Sequence, residues 1–471
     1  MDTVELKNAE AMLITSAIDA YMHNLDYKKV GNCYRLDRVA SIMGTTELVT
    51  CPNSDGSGGG VCGSGRDAQR VTHYFTEKFN GIRNRIKAVT KPFYSLPEIE
   101  QSQAEISKLE KLIHELNVAD NANDGAYSTP LSGSIRELDI SLIGIFDGRS
   151  FEALRSLVIH NFKPTLLAYR EGIIVLYSAL KGEQQMMIEA RLKIVGALLT
   201  ARSICDQIVK SNCGIGSAFN VDIVEKALKI AQVAIETYSA KSPIEILNAA
   251  KSALEVAKPI YDTLGATHVV AGAPFASKAG FTDPISVIKE LERAAAEINR
   301  ACSIFETTSG ATMRRAFLLM DDVASRYKYD LNISPLSSKD VLAGKRSGDL
   351  RISDYVKANT IAMSTLPEVG DTTKALANSL LDVQCARALI RDASFALGPS
   401  GPKKDFEELQ MLLYRLMTDF SVEVLDYAHN LQYTIDALRA TDQASAAALR
   451  NIDRSVLEDR QHSQKSPWRS S

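Results

Sequence analysis

What the chain lacks narrows its fold before any pattern is read. No run of about 18 strongly apolar residues, the length that crosses a bilayer, is present; the best stretch is only Gly172–Leu180, GIIVLYSAL. Neither sign of charge dominates: 54 Lys and Arg against 57 Asp and Glu leave a net charge of -3. That balance gives no long-range attraction to nucleic acid or to anionic lipid. The seven cysteines (Cys33, Cys51, Cys62, Cys205, Cys213, Cys302 and Cys385) are odd in number and scattered. They fit reduced thiols better than a disulfide framework, with a Cys51–Cys62 bridge left open. The opening MDTVELKN is acidic where a secretory leader is basic, so a cytoplasmic location is expected. The single tryptophan, Trp468, lies in a polar tail, 461–471.

Catalytic signatures are equally scarce. His23, His73, His114, His160, His268, His429 and His462 stand singly, with no HExxH spacing. The glycine run CPNSDGSGGGVCGSGRD, Cys51–Asp67, ends in Gly-Arg-Asp, whereas a phosphate-binding P-loop needs Lys and then Ser or Thr after its last glycine. No strand is expected before it either, which also removes a dinucleotide fingerprint. Cys33, Cys51, Cys62 and His73 form a conceivable zinc set, but the short paired spacings of structural zinc are missing. No cofactor and no metal is therefore expected, and the run reads as a surface loop between helices.

What is present is helical periodicity. Leu6, Ala9, Leu13, Ala17, Tyr21 and Leu25 form one stripe, and Val71, Tyr74, Phe75, Phe79, Ile82 and Ile86 another, behind an Asp67 cap. A short helix is predicted over Tyr34–Met43, and a further one over Glu98–Leu116 after Pro92 and Pro97. Three later segments step by three and four: Val221, Val224, Leu228, Ala231, Ile235, Tyr238; Leu247, Ala250, Leu254, Ala257, Tyr261, Leu264; and Ile288, Leu291, Ala295, Ile298, Cys302, Phe305. A period of 3.5 is the seam of helices that lie nearly parallel. SPIEIL at Ser242 and DPISVI at Asp283 each place a capping oxygen before a proline at the first helical position. The last long helix carries Phe406, Leu409, Leu413, Leu416, Phe420, Val424, Tyr427, Leu431, Ile435 and Leu438, and its pattern weakens after Asp442.

The fold expected is all-α, with elongated bundles of long, mostly antiparallel helices and negligible strand. In chain order it divides into an N-terminal helical module, 1–116, carrying the glycine loop 51–67; a linker, 117–133; a central bundle, 134–310; a C-terminal helical region, 311–460; and the tail. Helices are predicted over Ser134–Phe146, Phe151–Leu180 with a break at Pro164, Gln184–Ser211, Ala311–Lys328 and Asp371–Leu397.

Two segments carry functional expectations. GATHVVAGAPFASKAGFT, Gly265–Thr282, joins two seam-bearing helices with Lys278 as its one fixed charge. Its Val269, Val270, Phe275 and Phe281 form an apolar tip suited to contact with another chain. In layout the tip resembles the membrane-inserting head of helical pore-forming toxins, which implies insertion and oligomerisation as an alternative. MDDVASR, Met320–Arg326, resembles the first metal motif of the all-helical isoprenoid synthases through Asp321 and Asp322, which implies a metal-dependent enzyme. Ser325 stands where that motif needs another carboxylate, and no second motif follows. The leading expectation is a non-enzymatic structural protein, a scaffold, coat or filament subunit. It would work through helical contacts with protein partners, as a homo-oligomer or larger assembly.

Overall fold

The computed structural model describes residues 3–31, 33–36, 49–51, 60–61, 66–118, 129–147, 161–211, 223–239, 245–255, 281–321 and 351–463. The fold is all-α, with long helices in contact. It divides into two compact units, each drawn from three stretches of chain. Unit 1 comprises Met1–Glu110, Ile174–Leu318 and Val383–Gln410; unit 2 comprises Lys111–Ile173, Leu319–Asp382 and Met411–Ser471. This partition differs from the chain-order division at 117–133 and 310.

Unit 1 begins with α1 (Thr3–His23), which buries Leu6, Ala9, Leu13 and Ala17 on the predicted stripe. Its buried face then passes through Ile18 and Met22, leaving Tyr21 half-buried and Leu25 exposed in the following turn. Four short strands follow: β1 (Tyr27–Val30), β2 (Cys33–Leu36), β3 (Val49–Cys51) and β4 (Gly60–Val61); β2 takes up the start of the helix predicted over Tyr34–Met43, the rest of which, 37–43, lies outside the described residues. They pair antiparallel in that order. Val30 faces Cys33 with two residues between them in the sequence, the spacing that favours a tight hairpin over a helical turn.

Helix α2 (Arg66–Tyr94) buries Phe75, Phe79, Ile82 and Ile86 as predicted, whereas Tyr74 is exposed. Pro92 does not end it; the helix runs two residues further, and the break comes at residues 95–98. Glu10 of α1 accepts hydrogen bonds from Thr90 and Tyr94 of α2. After α3 (Ile99–Glu115), the 49-residue helix α5 (Lys163–Ser211) replaces the two helices predicted on either side of Lys181–Glu183. Pro164 does not break the chain of helical residues, which runs from a π turn at 161–162 directly into α5. Gly182 is there for space: a Cβ on it would lie 2.6 Å from Phe305 Cζ.

Helix α6 (Ile223–Ser239) and the helical residues 245–255, α7, bury Leu228, Ala231, Ile235, Leu247, Ala250 and Leu254 from the predicted seams. Ala257, Tyr261 and Leu264 lie outside the described residues. Helix α8 (Pro284–Asp321) buries all six of its predicted seam residues. Asp283 caps it, accepting from Ile285 N at 3.2 Å and Ser286 N at 3.3 Å. It is continuous through 310.

In unit 2, Thr129 caps α4 (Pro130–Ile145), its Oγ1 accepting from Ser132 N at 3.1 Å. The linker read over 117–133 therefore ends in helix. Two-residue strands β5 (Phe146–Asp147) and β6 (Arg351–Ile352) pair antiparallel, and Ser353 N donates to Ile145 O at 2.9 Å. Helix α9 (Tyr355–Thr360) continues through a π turn, Ile361–Thr365, into α10 (Leu366–Leu381). The helix predicted over Asp371–Leu397 thus stops at Leu381. After it come only α11 (Cys385–Leu389) and an irregular segment in unit 1. The 61-residue α12 (Lys403–Ser463) buries eight of its ten predicted positions, with Leu416 and Leu438 half-buried. Phe420 meets Phe162 and Tyr169 edge-on, at 5.4 Å and 6.0 Å between ring centroids. Tyr169 Oη donates to Leu416 O at 3.0 Å.

Candidate functional site

Of the six residues singled out for function, Phe281 and Asp321 lie among the described residues. Val269, Val270 and Phe275 lie outside the described residues, as does Asp322. Phe281 is half-buried just before Thr282, whose carbonyl accepts a hydrogen bond from Asn24 Nδ2 at 2.7 Å. Asp321, also half-buried, is the last residue of α8. No helix among the described residues is long and apolar enough to cross a membrane.

The glycine run requires a correction. A strand does precede it, β3, but β4 returns from it, with Thr50 facing Val61 and Cys51 facing Gly60. The residues between β3 and β4 therefore connect neighbouring antiparallel strands. The end of the run, 62–65, lies between β4 and α2, the strand-to-helix order of a phosphate-binding loop, but Arg66 and Asp67 follow it where such a loop needs Lys and then Ser or Thr. In the conceivable zinc set, Cys62 lies outside the described residues, and His73 sits on the exposed face of α2 with Nδ1 3.6 Å from Glu77 Oε1.

Of the thiols, Cys205, Cys302 and Cys385 are buried and free. Burial, with Asp206 nearby, pushes the Cys205 thiol up to about 12, and burial with Glu407 does the same at Cys385. Cys302 is held well above its ordinary range by burial, then by Glu306 and Glu183. Thiols held neutral in this way are poor nucleophiles.

Two features stand out. The first is buried charge in unit 1, where Glu183 of α5, Glu306 of α8 and Arg391 meet, all essentially inaccessible. Arg391 Nη2 donates to Glu306 Oε1, while Glu306 Oε2 accepts from Leu397 N at 2.8 Å. Arg391 Nη1 lies 3.5 Å from Glu183 Oε2, an ion-pair distance without hydrogen-bond geometry. Burial, then repulsion from Glu306, pushes the Glu183 carboxyl up to about 8 against the opposing pull of Arg391. Glu306 rises to about 7 through burial, opposed by Arg391 and the Leu397 N–H. Two carboxylates facing one guanidinium therefore retain a proton near neutrality, and it belongs on Glu183, which has the weaker donors. Sequence reasoning missed the cluster, yet a signal existed. Glu183 lies four residues after Ala179 and Glu306 four after Cys302, so each acid interrupts an apolar stripe.

The second feature is exposed helix in unit 2. Every residue of α12 from 439 to 451 is exposed, Leu449 among them at 66%. On α9 and the π turn, Val356 and Met363 are exposed at 77% and 68%. No protein family, curated protein or solved structure matches the chain.

Proposed function

We propose that the chain is a non-enzymatic structural protein that works by joining other protein chains through its helices, as a subunit of a scaffold, coat or filament. The supporting observation is the exposed run of α12. Thirteen consecutive residues, 439–451, stay helical with each of them exposed, Asp442 included, although it accepts a hydrogen bond from Tyr355 Oη of α9. At about 1.5 Å per residue they extend for roughly 20 Å. Most helical stability in proteins comes from a packed face, so a helix exposed all round is one waiting for a surface. Alanines at 440, 444, 446, 447 and 448 let a neighbouring backbone approach closely, and Leu449 supplies an apolar anchor.

Light scattering on the full-length chain over a concentration series tests this reading. The expected result is concentration-dependent association that weakens in Leu449→Glu, with helicity by circular dichroism unchanged. A strict monomer up to about 1 mM, the weak end of specific association, would overturn it.

A further inference from the structure

The segment between α11 and α12, residues 390–402, has no regular secondary structure. It is held on unit 1 by contacts to three helices and to the turn after α2. Asp392 N donates to Ser95 Oγ at 2.7 Å in that turn. On α8, Asn299 Nδ2 donates to Ser394 O at 3.0 Å, Ala396 N donates to Asn299 Oδ1 at 2.5 Å, and Leu397 N donates to Glu306. Phe395 is buried edge-on against Phe93 of α2, at 5.6 Å between ring centroids, with the Arg391 guanidinium carbon 5.7 Å from the Phe395 ring centroid. Arg391 runs inward from the segment to the two acids, one on α5 and one on α8. The opposite side faces outward: Ile390 and Leu397 are 60% and 50% exposed.

We propose that residues 390–402 form a proton-held latch, closed while the Glu183–Glu306 pair carries a proton and released as rising pH removes it. The groups facing Glu183 are Arg391 from the segment and Glu306 and Cys302 from α8. With one proton on the pair, a single negative charge faces a single guanidinium. Without it, the pocket holds one unmatched negative charge, and the Glu183 oxygens have no well-formed hydrogen bond among the described residues to support it. Lifting the segment lets water reach Glu183 and bares Phe93 and Phe395. The latch does not depend on the assembly reading, because it lies wholly in unit 1.

The sign follows from linkage. Glu183 binds its proton up to about pH 8 in the closed state, and in the open state only up to its ordinary value of 4.5. Closure is fully supported below about pH 4.5, weakens as pH rises, and levels off above about 8. For one proton the opening constant rises by at most about tenfold per pH unit across that window.

Hydrogen exchange of the full-length protein, corrected for intrinsic rates, measures the opening constant from pH 5 to 9. The expected result for 390–402 is a rise of roughly a hundredfold or more between pH 5 and 8, then a plateau, with α1 showing no such slope. Glu183→Gln, the isostere of the protonated acid, should hold the segment at its low-pH protection throughout. A change below about threefold, the same slope in α1, or an unaltered slope in Glu183→Gln would overturn the proposal. Should that variant fail to fold, infrared spectroscopy of the unaltered protein decides. A buried neutral carboxyl band present at pH 6 and lost by pH 9 supports the latch, and its absence at pH 6 refutes it.

Discussion

Replacing Gly401 by alanine tests whether the buried charges hold unit 1 together. Gly401 adopts φ +47, and a Cβ on it would fall inside contact distance of Arg391 Nη2 and 2.9 Å from Arg391 Cζ. A strained backbone residue of this kind costs about 1–3 kcal/mol. Arg391 has no room to yield, because its guanidinium is buried between Glu183 and Glu306. Forcing it aside leaves at least one buried carboxylate without its cation, a loss of about 3–5 kcal/mol. The sum, about 4–8 kcal/mol, rivals the net stability of a whole domain. Gly398→Ala is the control: φ is +98 there, and the nearest atom to a Cβ is Ala393 O at 3.7 Å. It should therefore cost only the backbone strain of about 1–3 kcal/mol. Urea unfolding followed by circular dichroism measures both, with hydrogen exchange assigning the transition to unit 1. If Gly401→Ala costs no more than Gly398→Ala, Arg391 does not need its place between the acids and the reasoning fails.

Two other glycines of α5 should respond in opposite directions. A Cβ at Gly196 meets nothing within 4 Å, so Gly196→Ala should stabilise by about 0.5–1 kcal/mol and raise the melting temperature. A Cβ at Gly182 lies 2.6 Å from Phe305 Cζ and 3.3 Å from Ala231 Cβ, so Gly182→Ala should destabilise by about 1–3 kcal/mol in the same scan. In unit 2, Phe420→Ala empties the space between Phe162 and Tyr169 and should cost about 3–5 kcal/mol in urea unfolding.

How much of this was legible from residue order depends on whether the deciding interaction is local. The α8 seam from Ile288 to Phe305 was readable because spacing of three and four places those side chains on one side of any helix they form. The end of α10 was not. Cys385–Leu397 keeps helix-like apolar spacing, but its backbone is taken up by Ser95, Asn299 and Glu306, residues 91 to 297 positions away. The Lys181–Glu183 step looked like a break for a related reason: a glycine and two charges read as a loop unless Phe305 is known to press on the glycine and Arg391 to meet the acid. The pairing of β1 with β2 lost to helical spacing at Tyr34–Met43 because four-residue strands offer too few alternations to register.

The exposed part of α12 is a different kind of case, in which the pattern was read correctly and its meaning lay in where it stops. The buried positions Leu431 and Ile435 lead by the same spacing to Leu438, Asp442, Ser445 and Leu449. Asp442 accepts a hydrogen bond from Tyr355 Oη of α9 at 2.5 Å. From there the apolar face that holds the helix to its own unit is interrupted by two polar residues. A helix meant only to stay in water would gain nothing by placing leucine at the next position. Leu449 does occupy it, on the line that packed three turns earlier, and this is why it is the residue to charge in the association experiment.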